Sequence, residues 1–247
     1  IKVKSYDVQE QYGAIWVYIG DVKNKPSQLP LPPQLDGFDL SAKPNYTVAV
    51  SFPCHIDHAV IGLMDPAHGP YIHKSWFWRS SKSAYEKKKD FGPVDFGFRM
   101  KRHKPSSNSK AYKILGGQPT TEIKVTIPGT RVEHIQIGQK SFYSVTALTP
   151  INDKCTQVIQ MSYWNTPWIS FLKPVVQLFG KIFIGQDLDA VTKQQEGLKF
   201  DPTLMLINDA DTQAKWYYSL KKEWTESAEQ QRLFVNPVKD VTLSWKS

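Results

Sequence analysis

Apolar and polar side chains alternate at the start of the chain, the period of a half-buried strand. Val3 to Val8 follows it, Tyr12-Gly13 interrupts it, and Ala14-Ile15-Trp16-Val17-Tyr18-Ile19 resumes it until Gly20-Asp21. The pattern predicts two strands around a turn. Residues 22–44 then carry five of the seventeen prolines and few apolar side chains, the composition of a linker or an extended surface crossing. Tyr46 to Phe52 returns to the strand period.

The pattern changes after Cys54. Helix is expected over 56–68, disturbed by Gly69-Pro70 before His73 arrives. From 75 to 163 strands dominate: Phe96 to Met100, Thr121 to Ile127, Val132 to Ile137, Phe142 to Leu148 and Gln157 to Tyr163, with Trp76-Phe77-Trp78 reading as a core strand. Pro, Gly and Asn between them indicate an antiparallel sheet, and the Ser-rich interval Lys101 to Lys113 a mobile loop. The last third turns helical, with Ile169 to Ile184 apolar at helical spacing, a polar helix over Asp187 to Leu198, and a last helix over Asp209 to Ser227. The fold class is α+β, built on a long antiparallel sheet.

Composition narrows the function classes. At 247 residues, with 40% hydrophobic and 22% charged, the chain is an ordinary globular one. Lys and Arg number 31 against 23 Asp and Glu, so the net charge is +8. That charge suits nucleic acid, an anionic surface or an acidic partner, but no nucleic-acid module accompanies it. Lys87-Lys88-Lys89 and Lys101-Arg102-His103-Lys104 read as a solvated basic rim or as a docking patch for an acidic electron donor. Two cysteines, Cys54 and Cys155, exclude a disulfide scaffold and read as reduced thiols of a cytoplasmic protein. No apolar run reaches the roughly 18 residues of a membrane span. The segment Trp164 to Phe183 is apolar enough for a pocket wall, a subunit contact or a membrane-surface contact. A strand-like start without initiator Met reads as a fragment of a longer polypeptide.

Four of six histidines, His55, His58, His68 and His73, fall within nineteen residues, which invites a metal site. His55 and His58 could share a helical face. His68 and His73 stand about 140° apart on an ideal helix and converge only if the helix is broken between them. Gly69-Pro70 provides the break. Asp65 could hydrogen-bond His68, or could be a helix N-cap because Pro66 follows it. Nothing adjacent supplies a third ligand, and His103 and His134 carry no carboxylate pattern.

Asp65-x-x-His68-x-x-x-x-His73 resembles the iron-site motif of the terminal oxygenases among Rieske non-heme iron, aromatic-ring-hydroxylating enzymes. The late helix of that family is similar to Gln186-Asp187-Leu188-Asp189-Ala190-Val191-Thr192-Lys193-Gln194-Gln195, and the end of its Rieske domain to Tyr12 through Asp21. The resemblance implies a mononuclear Fe(II) held by His68, His73 and Asp187, with Asp65 in electron delivery. Asp189, about 200° from Asp187 on a helix, should then point away. Two imidazoles and a carboxylate on one face of iron leave the other face open to O2.

The resemblance further implies a helix-grip (START/Bet v 1-like) catalytic domain over 45–247, after a linker at 22–44 and the last Rieske strands at 1–21. It implies a homotrimer, an NAD(P)H-dependent reductase or ferredoxin as donor, and O2-dependent hydroxylation, demethylation or ring cleavage of an apolar aromatic small molecule. Met64-Asp65-Pro66-x-His68-x-Pro70-x-x-His73 resembles the pheophorbide and chlorophyllide a oxygenase branch, although Ile61 and Gly62 stand where many relatives have Glu or Asn. The C-x-H and C-x-x-H pairs that hold a [2Fe–2S] cluster are absent from this chain. Two other classes fit the same residues: a non-catalytic helix-grip carrier of lipid or pigment, and a hydrolase with Zn2+ in the three ligands.

Overall fold

The computed structural model describes residues 3–20, 28–73, 85–105, 117–203 and 205–247. The first two strands, β1 (Asp7–Gln11) and β2 (Ala14–Tyr18), form an antiparallel hairpin. Tyr12 and Gly13, both at positive φ, make its two-residue turn. Pairing starts at Asp7 rather than Val3, because β2 offers no partner beyond Tyr18.

Eight strands form the main sheet: β3 (Tyr46–Phe52), β4 (Glu86–Val94), β5 (Gly97–His103), β6 (Thr120–Thr126), β7 (Thr130–Ile137), β8 (Lys140–Asn152), β9 (Cys155–Trp164) and β10 (Val241–Lys246). Their order is β10-β4-β5-β6-β7-β8-β9-β3, antiparallel throughout. Two expectations change here. Lys87-Lys88-Lys89 is a solvated rim only in part: it lies in β4, where Lys88 is exposed but Lys87 is only 5% exposed and donates to Ser247 Oγ. Lys101 to His103 close β5 instead of opening a loop. The rest of the expected loop, 106–116, and Trp76-Phe77-Trp78 lie outside the described residues.

Each face of the sheet has its own core. One face of β7–β9 presents Val132, Tyr143, Val145, Met161 and Tyr163 to Tyr12 of the hairpin turn and to the buried Leu35. Polar bonds fix that layer, with Tyr163 Oη donating to the Tyr12 carbonyl at 2.8 Å and Leu35 N–H to Tyr12 Oη at 3.1 Å. The other face receives the helices: α1 (Ile56–Met64), α2 (Gly69–Ile72), α3 (Pro167–Phe171), α4 (Lys173–Leu198) and α5 (Thr212–Glu229). Phe52, Val60, Phe91, Phe98, Val158, Ile184, Tyr217 and Leu220 fill the space between.

The two helices expected over 169–198 are mainly one. Gly185 and Gln186 sit inside α4, where packing outweighs the ~1 kcal/mol helix penalty of a glycine. Gly180 lets α4 run close to β3, since a Cβ there would lie 3.0 Å from Tyr46 Oη. Along the apolar segment, Ile169 and Ile184 are buried, whereas Trp168, Phe171, Leu172, Val175, Leu178 and Ile182 are exposed. No helix among the described residues is long and apolar enough to cross a membrane.

The β4–β5 turn brings two backbones into contact. A Cβ on Gly97 would sit 1.9 Å from the Val125 carbonyl oxygen of β6. Gly97→Ala is therefore expected to cost about 2–3 kcal/mol of stability by overpacking, read from urea melts.

Candidate metal centre

Helix α1 ends at Asp65, whose N–H closes on Ile61 O and whose Oδ1 accepts from Ala67 N–H at 2.7 Å. Asp65 is thus a C-cap, not the N-cap that is one of its two readings by sequence, and the helix expected to reach residue 68 stops at Met64. A one-turn helix, α2, then separates the two histidines: His68 is its N-cap and His73 its C-cap. Gly69-Pro70 begins this helix, because proline suits a first turn whose N–H groups have no partner. The resulting corner at each end turns both imidazoles inward, with Nε2 to Nε2 at 3.2 Å.

Asp187, in the middle of α4, meets them. Its Oδ1 lies 3.4 Å from His73 Nε2 and 3.8 Å from His68 Nε2, and the three ligand atoms lie within 4.8 Å of one another. His73 is 1% exposed and Asp187 6%. His73 Nδ1 faces Gln186 Oε1 at 3.1 Å, and His68 Nδ1 faces the Asp65 carbonyl oxygen at 2.5 Å. Oxygen acceptors at both Nδ1 positions require Nδ1–H, which leaves each Nε2 lone pair pointing at the other and at the carboxylate. Phe183, one turn before Asp187, stacks on His73 at 3.6 Å and fixes its plane.

Such a convergence of acceptors repels itself unless a cation occupies the middle. Asp187 Oδ2 is buried without a hydrogen-bond partner, and burial pushes the carboxyl up to about 7 although the Arg131 charge opposes this. Two nitrogen donors and a carboxylate, each with an oriented lone pair, fit a divalent transition metal with open positions. The residues present fit no [2Fe–2S] cluster. Cys54 is buried, with its thiol pushed up to about 11 by that burial, and His55 beside it caps α1 by accepting from Asp57 N–H.

The remaining candidates separate clearly. His58 meets Gln195 of α4 at 3.2 Å, tying α1 to the helix that carries Asp187. Asp189 points out and pairs with Lys193 at 2.6 Å, as the helical angle requires. Asp65 reaches His68 through its main-chain oxygen, while its carboxyl holds the turn, and burial pushes that carboxyl above its ordinary range despite Ala67 and His68. His134 stacks on Tyr143 and bonds Arg102 and Ser141, remote from the cluster.

A cavity of about 390 Å3 opens beside His68, His73 and Asp187, between α4 and the sheet. Val176, Phe179 and Phe183 form its helix wall. Its sheet wall mixes apolar side chains, among them Met100, Ile123, Val125 and Ile135, with polar ones: Thr121, Arg131, Glu133, Ser144, Thr146, Gln160 and Ser162. Alternation along β7–β9 sends their apolar neighbours to the opposite face of the sheet. The sequence shows this alternation, but not which face meets the helices.

By sequence the chain matches no family model and no curated protein. By structure it resembles solved proteins. Pseudomonas putida CBB5 NdmA with caffeine is 13% identical with a TM-score of 0.66, over 94% of this chain and 67% of that one. Dicamba monooxygenase bound to dicamba is 15% identical with a TM-score of 0.59, over 90% and 70%. The quaternary ammonium Rieske monooxygenase CntA is 15% identical with a TM-score of 0.57, over 89% and 61%. The chain therefore spans 61–70% of the length of these proteins, and its fold is the one found in Rieske non-heme iron oxygenases.

Proposed function

We propose that the chain is the catalytic part of a Rieske-type oxygenase that oxidises a small ring-bearing molecule with O2. The observation that carries this is the convergence of His68 Nε2, His73 Nε2 and Asp187 Oδ1 beside a cavity, with one Asp187 oxygen left unpartnered. The shared fold supports it, and NdmA and dicamba monooxygenase, which hold caffeine and dicamba, suggest the bulk of the substrate. Ferrous iron in this site would supply O2 activation.

The chain's own residues do the rest. Gln186 and the Asp65 carbonyl orient the two imidazoles, Phe183 and Ile184 keep water from one side, and the cavity positions the substrate against the ligand atoms. Assigning 1–21 to a Rieske domain, 22–44 to a linker and 45–247 to the catalytic domain belongs to the same proposal. So do a homotrimer, with the exposed strip of α3 and α4 as a contact face, and a ferredoxin or NAD(P)H-dependent reductase as donor.

Metal analysis tests it. Anaerobically purified chain is expected to hold about one iron per chain, lost in His68→Ala, His73→Ala and Asp187→Ala. Asp65→Asn, the variant of the residue we assign to electron delivery, should keep the metal, because the main-chain oxygen that meets His68 is unchanged, while turnover falls with the loss of the carboxyl. A folded chain that takes up no Fe(II) would instead be a carrier. Stoichiometric zinc with hydrolytic activity would make it a hydrolase.

A further inference from the structure

Gln160 and Gln213 carry more hydrogen-bonding capacity than the fold uses. Buried side-chain polar atoms are almost always paired, because an unpaired one keeps the full cost of leaving water. Gln213, in the first turn of α5, is 4% exposed, and its Nε2 is buried with no partner. Gln160, on β9, donates Nε2 to Ser144 Oγ at 3.0 Å, which leaves Oε1 as an acceptor, also buried and also without a partner. Both residues line the cavity beside the metal-ligating cluster, one from the sheet wall and one from the side of α5.

The surroundings say what would satisfy them. Apart from Asp187 of the ligand cluster, the charged groups of the cavity wall are engaged within the chain: Arg131 with Glu133 at 3.1 Å, Lys87 with Ser247 Oγ, and Lys89 with the Lys104 carbonyl. A neutral ligand therefore meets the site without stranding a charge. Across from the polar groups of the mixed sheet wall, Phe179 and Phe183 offer an apolar face to a flat ring.

We propose that the cavity takes a neutral, planar ring compound with polar edges, in which Gln213 Nε2 donates to a carbonyl or ring-nitrogen acceptor and Gln160 Oε1 accepts from an N–H or O–H. The class is that of lactams and ring amides rather than plain aromatic hydrocarbons. Calling this ligand a substrate rests on the oxygenase reading; the binding preference does not. Gln160 and Gln213 are specificity-determining residues in this account, discriminating through the cost of leaving a buried amide unpaired.

Two probes of the same shape test it on the whole chain: 2-quinolinone, a bicyclic lactam, and naphthalene, which forms no hydrogen bonds. Calorimetric titration is expected to show 2-quinolinone bound at least about tenfold more tightly than naphthalene. Gln160→Met and Gln213→Met should each weaken 2-quinolinone about five- to tenfold and leave naphthalene unchanged or tighter. Each variant should also melt at or above the wild-type temperature, since a group kept for a ligand costs stability when the cavity is empty.

Naphthalene binding as tightly as the lactam, lactam binding that survives both substitutions, or failure of both probes to bind would overturn the proposal. So would variants that melt well below wild type, which would make the two amides supports of the fold. No readout here needs iron or turnover. A metal-free chain that still prefers the lactam would sink the oxygenase reading alone, and an iron-loaded chain that prefers naphthalene would sink this one alone.

Discussion

Asp187→Asn is expected to stabilise the metal-free chain while abolishing metal-dependent turnover. The carboxyl is buried, and that burial, only partly opposed by Arg131, pushes it up to about 7 from an ordinary 3.8. Between about pH 4 and pH 7 the folded chain holds a proton that the unfolded chain has released. Stability therefore falls as pH rises through that window, and the whole penalty persists above it. A shift of about three units corresponds to roughly 4 kcal/mol at most, and relaxation around the site brings the expected figure to about 2–4 kcal/mol.

Asparagine has no charge to bury, and its amide can donate to the imidazole nitrogens that Asp187 faces. Urea melts of chelator-treated protein should show wild type and variant converging near pH 4 and separating by pH 8, with the variant more stable. Added Fe(II) should reverse the order, because only the wild type gains binding energy in the folded state. Partners of metal ligands already cost 10- to 100-fold when removed, so loss of the ligand itself should exceed about 100-fold in turnover. A variant less stable than wild type at pH 8 would mean that the carboxylate serves the fold and not an ion.

Tyr217→Ala carries the largest expected loss of stability, about 3–5 kcal/mol. Tyr217 is a fully buried aromatic of α5, and its hydroxyl donates to Asp57 Oδ1 at 2.8 Å and to the Pro128 carbonyl at 3.3 Å. Lys221, one turn on, pairs with the same Asp57 oxygen at 2.5 Å. These bonds join α5 to the start of α1 and to the β6–β7 turn. Helix α1 in turn ends at the Asp65 corner that holds His68, so the network anchors the helix that leads into the ligand cluster. Tyr217→Phe removes only the hydroxyl and should cost about 1–2 kcal/mol.

Asp57 also predicts an acid limb. Burial pushes its carboxyl up, but the bonds from Lys221 and Tyr217 and the Lys221 charge outweigh that and hold it below its ordinary value. A depressed carboxylate contributes stability above its unfolded value, near pH 4, and loses it as pH falls through the folded value. Guanidinium melts at pH 7 and pH 3 should therefore show Lys221→Met losing less on acidification than wild type.

Much of the sheet was legible because β5 to β9 keep the strand period and are separated by turn residues. Strand β4 was not, since Glu86-Lys87-Lys88-Lys89-Asp90 carries no apolar alternation. Its inward positions, Lys87 and Lys89, face the cavity, where polar side chains are tolerated. Strand β10 was missed although Val241, Leu243 and Trp245 alternate with Thr242, Ser244 and Lys246 at the strand period, and Leu243 and Trp245 are buried. The pair His68 and His73 was legible as a spacing interrupted by Gly69-Pro70, but the corner had the opposite sense: proline opens a helix there instead of breaking one. The specificity-bearing wall was illegible in principle. Ser144 and Thr146 alternate with Tyr143 and Val145 as in any half-buried strand, and only the placement of α4 and the β1–β2 hairpin decides which set faces inward.

The sheet's two outermost strands both pair across long stretches of chain: β3 closes on β9, and β10, at the far end of the chain, closes on β4. Loops this long cost entropy before their contacts return anything, so a chain with this connectivity is slow to cross its folding barrier. His68 and His73 lie on the excursion between β3 and β4, and Asp187 lies beyond β9. The ligand atoms therefore meet only after most of the sheet is in register. An ion bound there acts as a latch on a finished structure, slowing its opening, and not as a template that hastens its assembly.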